Sequence, residues 1–142
     1  MFGFNKKITI GRLEKVNIPI LGLNNVDAKI DTGAYRGSIH ATEIREEKED
    51  NKKVLKFKVF DENHPEYQDR TYTFKKYKKR KFKSARFEDH YRFVISIEIE
   101  IAGQKIKVEL SLTNRSDMRY PILLGRRSLK KKFLVDVDRK NI

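Results

Sequence analysis

The sequence predicts a mainly β chain closed into a small barrel-like sheet, and three observations lead there. Apolar and polar residues alternate with period two through much of the chain, as in Ile97-Glu98-Ile99-Glu100-Ile101. The alternating runs are short and separated by turn residues such as Asp50-Asn51 and Ala102-Gly103. Only one short segment, Ser128 to Phe133, reads as a helix.

Taken in order, Ile8, Ile10, Leu13, Val16, Ile18, Ile20 and Leu21, broken by Gly11 and Pro19, predict two short strands with a bend. A turn at Gly22-Leu23-Asn24-Asn25 should then lead into a strand ending at Asp31. Ser38 to Glu49 reads as a strand that becomes charged and ends in a solvated hairpin around Asp50-Asn51. Lys52 to Phe60 alternates, with one face wetter than the other. Between Asp61 and Arg92 there is no glycine but a dense basic-aromatic run from Tyr72 to Lys83, in which Tyr72, Phe74 and Phe82 could share one strand face. Tyr91 to Ile101 and Lys105 to Leu112 form a β-hairpin across Ala102-Gly103-Gln104. Leu134-Val135-Asp136-Val137-Asp138 should close the sheet as a last strand.

At 142 residues the chain is expected to be one domain over 1–142, large enough for a core without disulfides or metal. It has no cysteine, which excludes a disulfide framework, a thiol nucleophile and a thiolate zinc site. No apolar run is long enough for a membrane-spanning helix, so the expected location is the cytoplasm. The net charge of +13 calls for an anionic partner, either nucleic acid or an acidic peptide.

Val26, Ala28 and Ile30 alternate with Asp27, Lys29 and Asp31, and the run passes directly into Asp31-Thr32-Gly33-Ala34. An acid therefore sits where an apolar strand ends, beside a glycine that lets backbones approach closely. On its own, Asp-Thr-Gly more often caps a turn than catalyses. A second block changes the reading. Ile122-Leu123-Leu124-Gly125-Arg126-Arg127-Ser128-Leu129 follows far downstream. Together the two blocks resemble the signature pair of retropepsin-like aspartic proteases. The longer stretches Ala28–Ala41 and Asn114–Leu129 resemble a bacterial branch labelled "ATP-dependent zinc protease", which often accompanies ATP-grasp ligases that add glutamate to proteins.

The resemblance implies a retropepsin-type barrel with one short C-terminal helix, working as a homodimer. Peptide hydrolysis by carboxylates needs two of them sharing a proton, and this chain has one Asp-Thr-Gly. Asp31 would therefore face its own copy across a two-fold axis. Thr32 would lock the two loops, Gly33 would let substrate pass close, and Ala34 would line the cleft floor. Tyr35, Arg36, Ser38 and His40 would contribute to substrate binding. Leu123, Leu124, Gly125 and Arg126 would support the loop from behind. A glutamate-rich peptide is the first candidate substrate, and an ATP-grasp ligase a possible functional partner.

The chain departs from the family pattern in three places. Tyr35 stands where many retroviral members carry an acid, so Arg126 should pair with Asp117 or Asp27 instead. No glycine lies between Gly37 and Gly103, where a glycine-rich flap is usual. Ser84-Ala85-Arg86-Phe87 only weakly matches the Ser-Ser-x-Gly element of the bacterial branch. No cofactor and no catalytic metal are expected: His40, His64 and His90 form no His-Glu-x-x-His motif, and His40 reads more simply as a hydrogen-bonded histidine. The 72–83 run has two readings: polyanion binding with bases stacked on its rings, in an inactive version of the fold, or a hairpin with a charged outer face.

Overall fold

In the computed structural model the described residues are 6–82, 90–114 and 119–142. Six strands form a closed ring in the order β3 (Leu23–Ile30), β2 (Leu13–Ile18), β8 (His90–Ile101), β9 (Gln104–Thr113), β4 (Gly37–Glu49), β10 (Ile122–Leu124) and back to β3. The chain is thus a mainly β barrel, as the alternation predicts. β10 closes the ring by lying parallel to β3 and antiparallel to β4. Two further strands, β5 (Lys52–Val59) and β6 (Thr71–Phe74), extend the sheet beyond β4, while β7 (Lys78–Phe82) pairs with the first half of β8. β1 (Ile8–Gly11) and β11 (Phe133–Asp136) form a separate parallel pair.

The core is one cluster shared by the ring and the β5 extension. Ile18, Ile39, Ile95, Ile99, Ile101, Leu110 and Ile122 of the ring and Leu55 and Phe57 of β5 are all essentially inaccessible, and they fall on alternating positions of their strands. Turn chemistry matches the expected hairpins: Asp50-Asn51 and Ala102-Gly103 both take two consecutive left-handed residues, the backbone of a tight two-residue connection. The bulge between Thr42 and Arg45 is accommodated by Glu43 at positive φ.

Four local expectations are corrected. The turn before the Asp31 strand is a 3-10 segment, Pro19–Leu21, closed by left-handed Gly22, and Leu23 already belongs to β3. The helix is α1 (Arg126–Leu129) rather than 128–133, because Lys130 is extended and Lys131 takes φ of 74°, turning the chain into β11. Tyr72 and Phe74 do not share a strand with Phe82: the former pack β6 onto β5, the latter lies on β7 against β8. The basic run is therefore two strands with different partners, not one hairpin. Ser84–Phe87 lies outside the described residues.

A buried acid went unnoticed in the sequence. Glu14 on β2 is only 3% exposed, and its Oε2 accepts hydrogen bonds from the backbone N–H of Gly11 (2.7 Å) and Ile142 (3.2 Å). Together with Arg12 N–H to Arg139 O and Asn141 N–H to Leu13 O, it ties the C-terminal segment across β1 and β2. Gly11 has no side chain because Arg139 O passes 2.3 Å from where a Cβ would stand.

Candidate active site

Asp31 stands at the first position after β3, and three backbone contacts fix it. Its N–H donates to Leu124 O (2.9 Å), its carbonyl accepts from Ala34 N–H (3.2 Å), and its Oδ1 accepts from Gly33 N–H (3.0 Å). The first bond exists because β10 runs alongside β3 in register, Leu124 opposite Ile30. The carboxylate is half-buried, with the exposed Thr32 and Gly33 beside it.

The second motif supports the loop from below. Arg126 N–H and Arg127 N–H, the first residues of α1, donate to Ala34 O (2.8 Å) and Tyr35 O (2.9 Å). Gly125 precedes them, and a Cβ there would fall 2.6 Å from Tyr35 O and 2.7 Å from Arg36 O. The residue must be glycine because the loop backbone lies directly on it. Gly37 plays the same part on the other side, its missing Cβ leaving room for Leu123 O at 2.6 Å. Leu124 is fully buried and Leu123 half-buried, each in register with both neighbouring strands or one of them.

Arg126 finds a partner other than the two expected. Its Nη1 donates to Thr32 O at 2.9 Å, and its guanidinium lies 5.8 Å from the centre of the Tyr35 ring. Asp27 instead pairs with Lys15 at 2.5 Å, and Asp117 lies outside the described residues. The Tyr35 ring also faces Arg36 (5.6 Å) and Lys130 (5.9 Å). Tyr35 thus draws three cations to its π-face.

Ser38 and His40 are buried residues on β4, 7% and 3% exposed, so neither lies open beside Asp31. His40 Nε2 is 2.7 Å from Asp61 Oδ2, and its backbone joins Pro121 O and Phe60 N–H. Asp61 is held below the usual carboxylate range, first by the backbone N–H of Asn63 and then by its bond to His40. His64, against the Phe60 ring at 4.3 Å, is pushed down by burial. Among the described residues no three His, Cys, Asp or Glu side chains gather in a way that could hold a metal ion. Nor is any helix among them long and apolar enough to cross a membrane.

Sequence reasoning missed Glu109, a half-buried acid on β9. Its carboxylate lies within 2.7–3.5 Å of Arg36, Lys78, Arg80 and Arg127. Burial alone would push its pKa up, but the Lys78 hydrogen bond and the Arg80 and Arg127 charges outweigh it and hold the group below its usual range. The only signal in the sequence was an acid inside an alternating strand, which is indistinguishable from an ordinary solvated position.

Comparison with known proteins bears on this geometry. The chain is 36% identical over 136 residues to a probable alpha-L-glutamate ligase of Shewanella pealeana, a match covering 93% of this chain and 29% of that protein. It is 31% identical over 137 residues to a probable alpha-L-glutamate ligase of Parasynechococcus marenigrum, covering 94% of this chain and 28% of the relative. The chain therefore spans less than a third of the length of these curated relatives. A crystal structure of a Legionella pneumophila protein of unknown function superposes with a TM-score of 0.73 at 28% identity, covering 96% of this chain and 98% of the other. The family described as RimB-like, retropepsin-like aspartic endopeptidase RimB, matches residues 9–142, and this chain belongs to it.

Proposed function

We propose that the protein is an aspartic peptidase whose active centre is completed by a second copy of the chain. The observation that carries this reading is the fixed Asp31, its backbone N–H on Leu124 O and its Oδ1 on Gly33 N–H, in a loop whose Tyr35 and Arg36 carbonyls pack on Gly125, with one Asp-Thr-Gly in the chain. Two Asp31 side chains meeting across a two-fold axis would share one proton, since neighbouring carboxylates do not both ionise cheaply. The ionised member takes a proton from water while the protonated one polarises the scissile carbonyl. Thr32, exposed beside Asp31, would meet the partner's loop.

The β7–β8 hairpin takes the part of the flap. β7 carries Lys78, Lys79, Arg80 and Lys81, and Lys78 and Arg80 reach Glu109 together with Arg36 and Arg127 from the Asp31 side. Positive charge gathered beside Arg36 in this way suits an acidic, glutamate-rich peptide. The glutamate-ligase names of the longer relatives, which include a segment like this chain, favour the same substrate and a functional link to such a ligase in the cytoplasm. The alternative, an inactive polyanion-binding module, needs aromatic faces free for bases. Tyr72 is buried with its hydroxyl on Leu21 O (2.6 Å), Phe74 packs on Phe57, and Tyr77 packs on Phe93.

The test is cleavage of a library of acidic peptides by protein whose solution mass has been measured. A dimeric wild type that cleaves, and an Asp31→Asn variant that folds and does not, support the reading. Wild type that cleaves nothing and binds RNA with a steep salt dependence would establish the alternative.

A further inference from the structure

Two parts of the molecule that are far apart in sequence converge on Glu109. Its Oε1 lies 2.7 Å from Arg127 Nη1, 3.2 Å from Arg80 Nη2 and 3.5 Å from Arg36 Nη1, and its Oε2 lies 3.2 Å from Lys78 Nζ. Among the described residues, four cations against one carboxylate leave a net +3 at a single point. Three guanidinium forks and one ammonium carry many more N–H donors than the roughly four lone-pair positions of a carboxylate can accept. The surplus is visible: Arg80 Nη1 is buried without a hydrogen-bond partner among the described residues.

Open space adjoins this cluster on both sides. A cavity of about 240 Å³ is bounded by Arg36, Gly37, Ser96, Lys107, Glu109 and Arg127. A second, of about 360 Å³, shares Ser96, Lys107 and Glu109 and extends under Lys75, Lys76 and Lys78. An ordinary surface ion-pair network balances its charges and leaves no cavity at its centre. This one concentrates like charges, which repel one another, around a hollow that joins the Asp31 loop through Arg36 and Arg127.

We propose that the Glu109 cluster is a receptor for one side-chain carboxylate of the bound peptide, with Arg127, Arg36 and Lys107, which line the first cavity, as donors and Glu109 as the internal carboxylate that keeps them gathered. The inference rests on the peptidase reading for the identity of the ligand as a peptide; the site and its chemistry stand on the residues named. Arg127 and Lys107 are specificity-determining residues, whereas Glu109 is a positioning residue.

The experiment uses the full chain carrying Asp31→Asn, so that no turnover interferes, and calorimetric binding of two end-blocked probes, a tetraglutamyl and a tetraglutaminyl peptide. The expected result is that Arg127→Gln weakens the glutamyl peptide by about tenfold or more, as loss of a charge-assisted bond should, and leaves the glutaminyl peptide unchanged. Lys78→Gln should give a smaller loss in the same direction, and it stands in should Arg127→Gln fail to fold by thermal melting. Lys52→Gln, exposed on β5 and outside the cluster, should change neither. Equal effects on both peptides, no effect on either, absence of glutamyl binding, or stronger competition from inorganic phosphate than from glutarate would overturn the proposal. With active protein, cleavage of the glutamyl peptide at an unchanged KM in Arg127→Gln removes the subsite and leaves the peptidase. Arg127-dependent binding without any cleavage by wild type removes the peptidase and leaves the subsite.

Discussion

The Asp31 loop and the basic hairpin are neighbours built on opposite principles. The loop is held by backbone: strand register between β3 and β10, N–H groups of α1 on loop carbonyls, and two glycines whose missing Cβ atoms let main chains touch. The hairpin β7–β8 owes its character to side chains, a row of cations over aromatic rings such as Lys79 over Tyr91 and Phe93. Rigid backbone suits a group that must meet another acid at a fixed distance. Mobile cations on long stems suit the recognition of a charged chain without demanding one pose.

If that contrast is right, the largest effect should come from touching the backbone frame. Gly125→Ala places a methyl group where Tyr35 O and Arg36 O already lie. We expect about 1–3 kcal/mol of destabilisation in a denaturant melt, and peptidase activity lower by about 100-fold because the loop must move. Next comes Arg126→Gln, which removes the bond to Thr32 O and the contact with Tyr35 while keeping the helix start. About a tenfold fall in kcat/KM with little change in melting temperature would mark Arg126 as a positioning residue of the loop.

A pH titration probes the ground between the two regions, the 60–70 loop that His40 anchors through Asp61. His64 and Asp61 both have lowered pKa values in the fold. Each therefore adds stability that is present above its unfolded value and is lost as pH falls through its folded value. Amide protection in this loop should decrease first as pH drops below about 6.5, where unfolded histidine begins to protonate, and again below about 3.9, where aspartate does. Protection that rises on acidification would contradict the assignment. The smallest effect on stability belongs to the charged surface. Replacing Lys75, Lys76 and Lys79 by glutamine should leave stability within about 0.5 kcal/mol, yet flatten the salt dependence of acidic-peptide binding.

The same contrast explains what could be read from the sequence. Alternation, the tight turns at Asp50-Asn51 and Ala102-Gly103, and the Asp-Thr-Gly and Leu-Leu-Gly-Arg blocks are local patterns, and they led to the barrel, the family and the residues of the loop. Helix α1 was displaced by two residues because Lys130 and Lys131, good helix formers, are turned out by the need to reach β11. Tyr72 and Phe82 were placed together because composition cannot show that one strand joins β5 and the next joins β8. Glu109 and Glu14 were invisible for a related reason. Glu109 meets cations at least 18 residues away, and Glu14 meets Ile142 at 128 residues besides the nearby Gly11 N–H, so local pattern does not distinguish either from a solvated acid.

One experiment bears most directly on whether two chains build one catalytic centre. Wild-type protein is mixed and re-equilibrated with increasing proportions of Asp31→Asn at constant total concentration, and cleavage is followed. A centre that needs both acids loses activity as the square of the wild-type fraction, because every mixed pair is dead. Activity that declines in simple proportion to that fraction would show that each chain hydrolyses peptide with its own groups.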